Sequence, residues 1–142
     1  MSPLAKKLHL AAGSRAAIVN PPPRYLRRLE PLPEGVRVQS RATRGLDFVQ
    51  VFAGSVAELR RYGPAAMRAV KPGGLLWVSY PKGGKTKGAT DLPASPWWGK
   101  RDVLGEITGL PGYSIAGFVK IDETWSALRF KAPIGASRAA GD

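Results

Sequence analysis

Few residues in this chain have the type and spacing to do chemistry. Gly83-Gly84-Lys85-Thr86 lies just past an apolar run that ends at Tyr80. A glycine-lysine-threonine string a few residues past a strand is how a phosphate loop ends. The full pattern needs a glycine at position 79, and Ser79 stands there. Lys87-Gly88-Ala89-Thr90-Asp91-Leu92-Pro93 is also a poor helix start, so the anion would lose the helix dipole and its N–H cradle. Nucleoside triphosphate hydrolysis is not expected. A looser reading stands, in which Lys82, Lys85 and Lys87 with free glycine N–H groups hold a phosphate. Its competitor is a plain basic loop.

Trp97-Trp98 beside Lys100 and Arg101 could stack bases, as single-strand binders do. Large aromatics more often pack, so one tryptophan under the loop and one half exposed is the competing reading. Asp91 is the sole carboxylate of the long loop 81–99 and the acid to watch there. His9 is the only histidine, in a short N-terminal helix with no visible partner. Without it no Ser-His-acid set can be assembled. With no cysteine, disulfides and thiolate metal sites are ruled out, and with one histidine so are multi-histidine sites. No catalytic residue and no metal ligand is assigned, and the reading leans toward a non-enzyme with the question left open.

The charge is uneven. The chain carries 22 basic and 10 acidic residues, a net +12. Residues 1–45 contribute +7 (9 basic, 2 acidic) and residues 71–101 contribute +5 (6 basic, 1 acidic). A field of this kind favours anionic partners, either a small molecule or nucleic acid. The alternative is a solvated basic face with no partner. No apolar run reaches the ~18 residues of a membrane span. Met1 to Leu10 has no apolar core of a secretion signal, so a cytoplasmic location is expected.

These residues need a frame, and 142 residues at 44% hydrophobic are enough for one domain with one core. The expected domain is 1–131, followed by a frayed tail at 132–142. Ser2-Pro3 caps a helix through Leu10. Arg15 to Val19 is a short strand that Asn20-Pro21-Pro22-Pro23 stops, since proline cannot donate to a ladder. Arg24 to Leu29 forms a helical turn or two. Val36 to Ser40 and Leu46 to Phe52 read as strands. Ser55 and Glu58 form a capping box for a helix with Val56, Leu59, Gly63, Ala66, Met67 and Val70 on one face, which Pro64 should kink or split. Lys71-Pro72-Gly73-Gly74 is expected as a helix stop and turn before a buried strand, Leu75 to Tyr80. Asp102 caps a helix that Pro111-Gly112 ends. Tyr113–Ile121 and Thr124–Phe130 make a hairpin about Asp122-Glu123. Strands alternating with helices predict an α/β fold, a mostly parallel Rossmann-like sheet closed by a C-terminal antiparallel hairpin.

A helix, a buried strand after K-P-G-G, a further helix and a terminal antiparallel pair resemble the second half of the class I methyltransferase fold, here with a shortened first half. More narrowly, four segments resemble a small uncharacterised bacterial family, a domain of unknown function. They are Ser2 to Leu8, Pro31 to Gly35, Leu75 to Lys82 and Ile121 to Phe130. The methyltransferase resemblance implies a glycine-rich loop after the first strand and an acid at the end of the second, both serving S-adenosylmethionine. Asn20 with three prolines and Gln39-Ser40 stand at those positions. No cofactor is therefore expected. Asn20-Pro21-Pro22 is similar to the Asn-Pro-Pro motif of amino-methyltransferases, but it follows the wrong strand and lacks the aromatic that comes next.

The expectation is a non-catalytic binding or regulatory module for an anionic ligand. Asn20, Tyr25, Ser79, Tyr80, Lys82 and Lys85 would line the carboxyl edge of the sheet, with Trp97 as a lid. The alternative is a nucleic-acid surface of Arg24, Arg27, Arg28, Arg41, Arg44, Lys100 and Arg101. A divergent methyltransferase-like enzyme is the third reading. Oligomeric state is left open.

Overall fold

The computed structural model describes residues 1–81, 90–93 and 97–133. Six strands form one sheet: β1 (Arg15–Val19), β2 (Arg37–Gln39), β3 (Leu46–Phe52), β4 (Val70–Pro81), β5 (Ser114–Lys120) and β6 (Trp125–Lys131). Their order across the sheet is β2-β1-β3-β4-β6-β5. Strands β1 to β4 run parallel to one another, β6 runs antiparallel to β4, and β5 runs antiparallel to β6. This is the expected mostly parallel sheet with a C-terminal antiparallel hairpin.

Helices cover both faces. On one side α3 (Val56–Ala69) packs with α5 (Val103–Thr108) over Val49, Val51, Leu76, Val78 and Leu128. On the other, α1 (Pro3–Lys7) and α2 (Tyr25–Leu29) cover Ile18, Phe48, Phe52 and Trp77. Alternate residues of one strand thus enter different cores, which is why β3 and β4 read as continuous apolar runs. The Trp77 indole N–H donates to the Leu8 carbonyl, tying the end of α1 to the central strand. The short helix α4 (Trp97–Lys100) lies beside α5. Among the described residues no helix is long and apolar enough to cross a membrane.

Two local expectations are corrected. Lys71-Pro72-Gly73-Gly74 is no turn between helix and strand, because α3 ends at Ala69 and β4 begins at Val70. Leu46 pairs with Val70 and Phe48 with Leu75, so the extra residues of β4 bulge out of the ladder. Gly73 takes a φ of +77°, and a Cβ on Gly74 would stand 3.0 Å from the Asp47 carbonyl oxygen. Glycine is what lets this strand bulge rather than stop. Pro64 does not split α3, which is one helix of 14 residues. The missing N–H removes one bond, while Leu59, Gly63, Ala66, Met67 and Ala69 stay buried along the packed face.

Candidate functional site

The carboxyl edge of the parallel strands is where an α/β sheet offers a crevice. Asn20 leaves β1 with a φ of +57°, a conformation asparagine tolerates better than most residues. Its side-chain Nδ2 donates to the Phe52 carbonyl at 3.0 Å and to Glu58 Oε1 at 2.9 Å. Glu58 Oε1 also accepts from the Gly54 N–H at 3.0 Å. The ends of β1 and β3 and the first turn of α3 are therefore clamped together. The Ser55–Glu58 capping box is half as expected. Ser55 Oγ accepts from the Glu58 N–H, but the Glu58 carboxylate turns to Gly54 and Asn20.

Beneath the clamp runs a buried polar chain. The Tyr25 hydroxyl donates to Gln50 Oε1 at 2.8 Å, and Gln50 Nε2 donates to Ser79 Oγ at 2.9 Å. Tyr25, Gln50 and Ser79 are all buried, and burial pushes the Tyr25 hydroxyl well above the ordinary tyrosine range. The Tyr25 ring also meets Phe52 edge-on at 4.5 Å. Tyr80 is buried against Trp98, ring centroids 5.4 Å apart. Of the residues expected to line the edge, Tyr25, Ser79 and Tyr80 thus lie under the surface, where they hold the strands, and Asn20 is spent on the clamp. Lys82, Lys85 and Lys87 lie outside the described residues. Trp97 is 54% exposed, with Lys100 Nζ 5.4 Å from its ring centroid. The tandem tryptophans divide, since Trp98 is buried and its indole N–H donates to the Pro93 carbonyl.

Asp91 has a structural partner. Its Oδ1 accepts from the Val56 N–H at 2.8 Å, so the acid caps the N-terminus of α3 from the long loop. Asp122 also organises backbone, accepting from the N–H groups of Thr124 and Trp125 and pairing with Arg28 at 2.6 Å. Burial opposes its ionisation, but these N–H donors and Arg28 outweigh it and hold the carboxyl below its usual range.

The arginine set of the nucleic-acid reading is only partly brought together. Arg24 and Arg27 are exposed on and before α2, and Arg41 and Arg44 are exposed on the loop after β2. These segments leave the carboxyl ends of neighbouring strands. Arg28 is turned to the hairpin, where it donates to Asp122 and the Ile121 carbonyl. Arg101 pairs with Glu106 at 3.3 Å on the opposite helical layer. Among the described residues no group of three histidines, cysteines or acids could hold a metal.

Gln50 and Glu58 were missed as members of this edge. The signal for Gln50 was present, a lone amide inside Phe48-Val49-Gln50-Val51-Phe52. A polar side chain in a two-sided buried strand must find partners. Glu58 was hidden by its role as a helix cap.

Comparison of the fold with solved structures returns S-adenosylmethionine-dependent methyltransferases. One from Aquifex aeolicus shares 12% identity at a TM-score of 0.57, covering 89% of this chain and 86% of that one. The 16S rRNA (adenine(1408)-N(1))-methyltransferase from Catenulisporales acidiphilia shares 16% identity at 0.51, covering 90% and 89%. The N-methyltransferase NodS from Bradyrhizobium japonicum shares 14% at 0.50, covering 92% of each. No family model matches the chain, and no curated protein matches it by sequence. At these identities the likeness is one of fold.

The cofactor implied by that fold does not fit the residues present. Pro21, Pro22 and Pro23 offer no N–H where backbone should meet the ligand. Asn20 ties its side chain to the Phe52 carbonyl and Glu58 at the ends of β1 and β3. At the end of β2, Gln39 donates its amide to the Arg41 carbonyl at 2.6 Å and to Thr43 Oγ1 at 2.8 Å, closing its own loop.

Proposed function

We propose that this chain is a binding module built on a methyltransferase-type fold, taking an anionic ligand at the carboxyl edge of the sheet and transferring no group. The observation that carries this reading is the Asn20 clamp, with Nδ2 bonded to Phe52 and Glu58 where a nucleoside cofactor would need open backbone. Anionic character follows from the +12 charge and its concentration in residues 1–45 and 71–101. In sequence Lys82 and Lys85 follow closely on β4, and we assign to them the charge that holds the ligand, with the exposed Trp97 as the lid. Tyr25, Ser79 and Tyr80 support it from below.

The reading is tested in two steps. Thermal melting with S-adenosylmethionine should show no shift. A ligand at a hundredfold excess over its Kd adds about 2.7 kcal/mol. In a chain of this size that would raise Tm by roughly 8 °C. Such a rise would show that the cofactor binds, favour the divergent methyltransferase reading and end this proposal. Lys82→Ala with Lys85→Ala should then weaken pyrophosphate binding while leaving Tm in place. Unchanged binding removes the edge site.

A nucleic-acid ligand is the second reading. It is favoured by the exposed Trp97 ring beside Lys100, a pairing that suits stacking next to a phosphate. One of the fold's relatives is an rRNA methyltransferase. A steep fall of RNA affinity with salt is required, and flat or absent binding removes the idea.

A further inference from the structure

The helices α1 and α2 cover β1, β3 and β4 on their face and leave the hairpin side of that face open. Between the end of α1 and strands β5 and β6 lies a groove of about 350 Å³. Trp77, Lys7, His9 and Arg129 line it, with the backbone of β5 from Gly117 to Lys120 along its rim. None of its lining residues is a carboxylate. Lys120 reaches Glu123 at 3.3 Å, an exposed pair that contributes little fixed geometry.

Arg129 is the centre of the groove. Trp77, Arg129 and Gly117 are directly paired across β4, β6 and β5, so they share one face of the sheet. The guanidinium lies over Gly117, whose missing Cβ would stand 3.2 Å from Arg129 Nε and 3.5 Å from Nη2. Nη2 donates to the Ala116 carbonyl at 3.0 Å, which fixes the orientation of the fork. Nε is buried and has no acceptor among the described residues. With that nitrogen unpaired and no carboxylate among the groove's lining residues, the guanidinium keeps an uncompensated charge that an anion in the groove offsets. A planar fork in a groove that Lys7 also lines matches a phosphate group in shape and charge.

We infer that this groove is a second anion site, built for a phosphate group and separate from the carboxyl edge. The phosphate comes from a small phosphorylated molecule or from a nucleic-acid backbone, which share this chemistry. Isothermal titration of the full chain tests it, with pyrophosphate and a single-stranded RNA decamer as probes. Wild type is compared with Lys7→Glu, Arg129→Gln and the Lys82→Ala, Lys85→Ala chain. That last background keeps the two sites distinguishable, because a failed edge site leaves groove binding in place.

In the Lys82→Ala, Lys85→Ala background, Lys7→Glu and Arg129→Gln should each weaken pyrophosphate binding about tenfold, the usual loss for one charge-assisted hydrogen bond. Lys7 is exposed on the last turn of α1, so its variant should melt like wild type and serves even if Arg129→Gln fails to fold. RNA affinity that falls with the same two variants names the backbone as the source. RNA affinity that does not fall names the small molecule. No pyrophosphate binding by wild type, or binding indifferent to Lys7→Glu, overturns the site.

Discussion

Tyr25→Phe tests whether Tyr25 builds the sheet or touches a ligand. The substitution keeps the ring, and with it the edge contact to Phe52 at 4.5 Å. It removes the hydroxyl that donates to Gln50 Oε1 at 2.8 Å. Gln50 is fully buried, so its oxygen would be left without a donor and without water. Such an orphaned acceptor costs about 1–3 kcal/mol. At about 2 kcal/mol, Tm in a chain of this size falls by roughly 6 °C. Ser79→Ala orphans the other end of the amide, Gln50 Nε2, at a similar cost. The triple variant Tyr25→Phe, Gln50→Met, Ser79→Ala removes every partner together. It should cost less than the sum of the two single changes, because replacing all partners by apolar groups of like shape is nearly neutral. Urea titration of the four proteins gives the comparison, and pyrophosphate affinity should be unchanged throughout. The reasoning fails if Tyr25→Phe costs under about 0.5 kcal/mol, less than any orphaned buried acceptor. It also fails if the triple variant loses the full sum. A tenfold loss of anion affinity at unchanged Tm would mean that Tyr25 reaches the ligand.

Other outcomes follow from the same contacts. Ser55→Ala should cost about 1 kcal/mol in chemical denaturation, since Ser55 Oγ caps the Glu58 N–H. Asp91→Ala should cost a similar ~1 kcal/mol by removing the cap on the Val56 N–H, and hydrogen exchange at Val56 should quicken. Stability should fall as acid is added below the ordinary aspartate range. Asp47 is lowered by the Arg15 N–H and Lys71, and Asp122 by its two N–H donors and Arg28. Both remain ionised in the fold where the unfolded chain already binds protons. An acid melt of Asp122→Asn should be shallower than that of wild type. Above about pH 10 the unfolded chain ionises Tyr25 while the fold keeps it neutral, so stability should fall there, and less so in Tyr25→Phe.

Much of the fold was legible because it rests on local signals. The Ser2-Pro3 start, the Ser55 cap, the Asp102 cap and the Asp122 turn each concern residues within a few positions. Alternation of strands and helices then left few ways to close the sheet. The misreadings arose where neighbours outweigh local preference. Pro72-Gly73-Gly74 signals a turn in isolation, yet beside β3 it becomes a bulge inside β4, because Leu46 and Phe48 supply pairing on either side. Pro64 breaks isolated helices, but the packed face of α3 carries it through.

For the site, the residue types alone determined what is missing. Three prolines cannot donate N–H groups and no acid ends β2, so the sequence alone departs from the usual cofactor contacts at two places. Which side chains face outward needed the tertiary structure. Tyr25, Ser79 and Tyr80 lie at a ligand edge by position but are drawn inward by Gln50 and Trp98, from strands and helices far away in the chain. Arg129 reads as an ordinary exposed arginine of a hairpin. Only the cross-strand pairing with Trp77 and Gly117 shows it flattened over a glycine with a buried, unpaired nitrogen. Burial and partnership are decided by residues that meet through the sheet, and no spacing along the chain encodes that meeting.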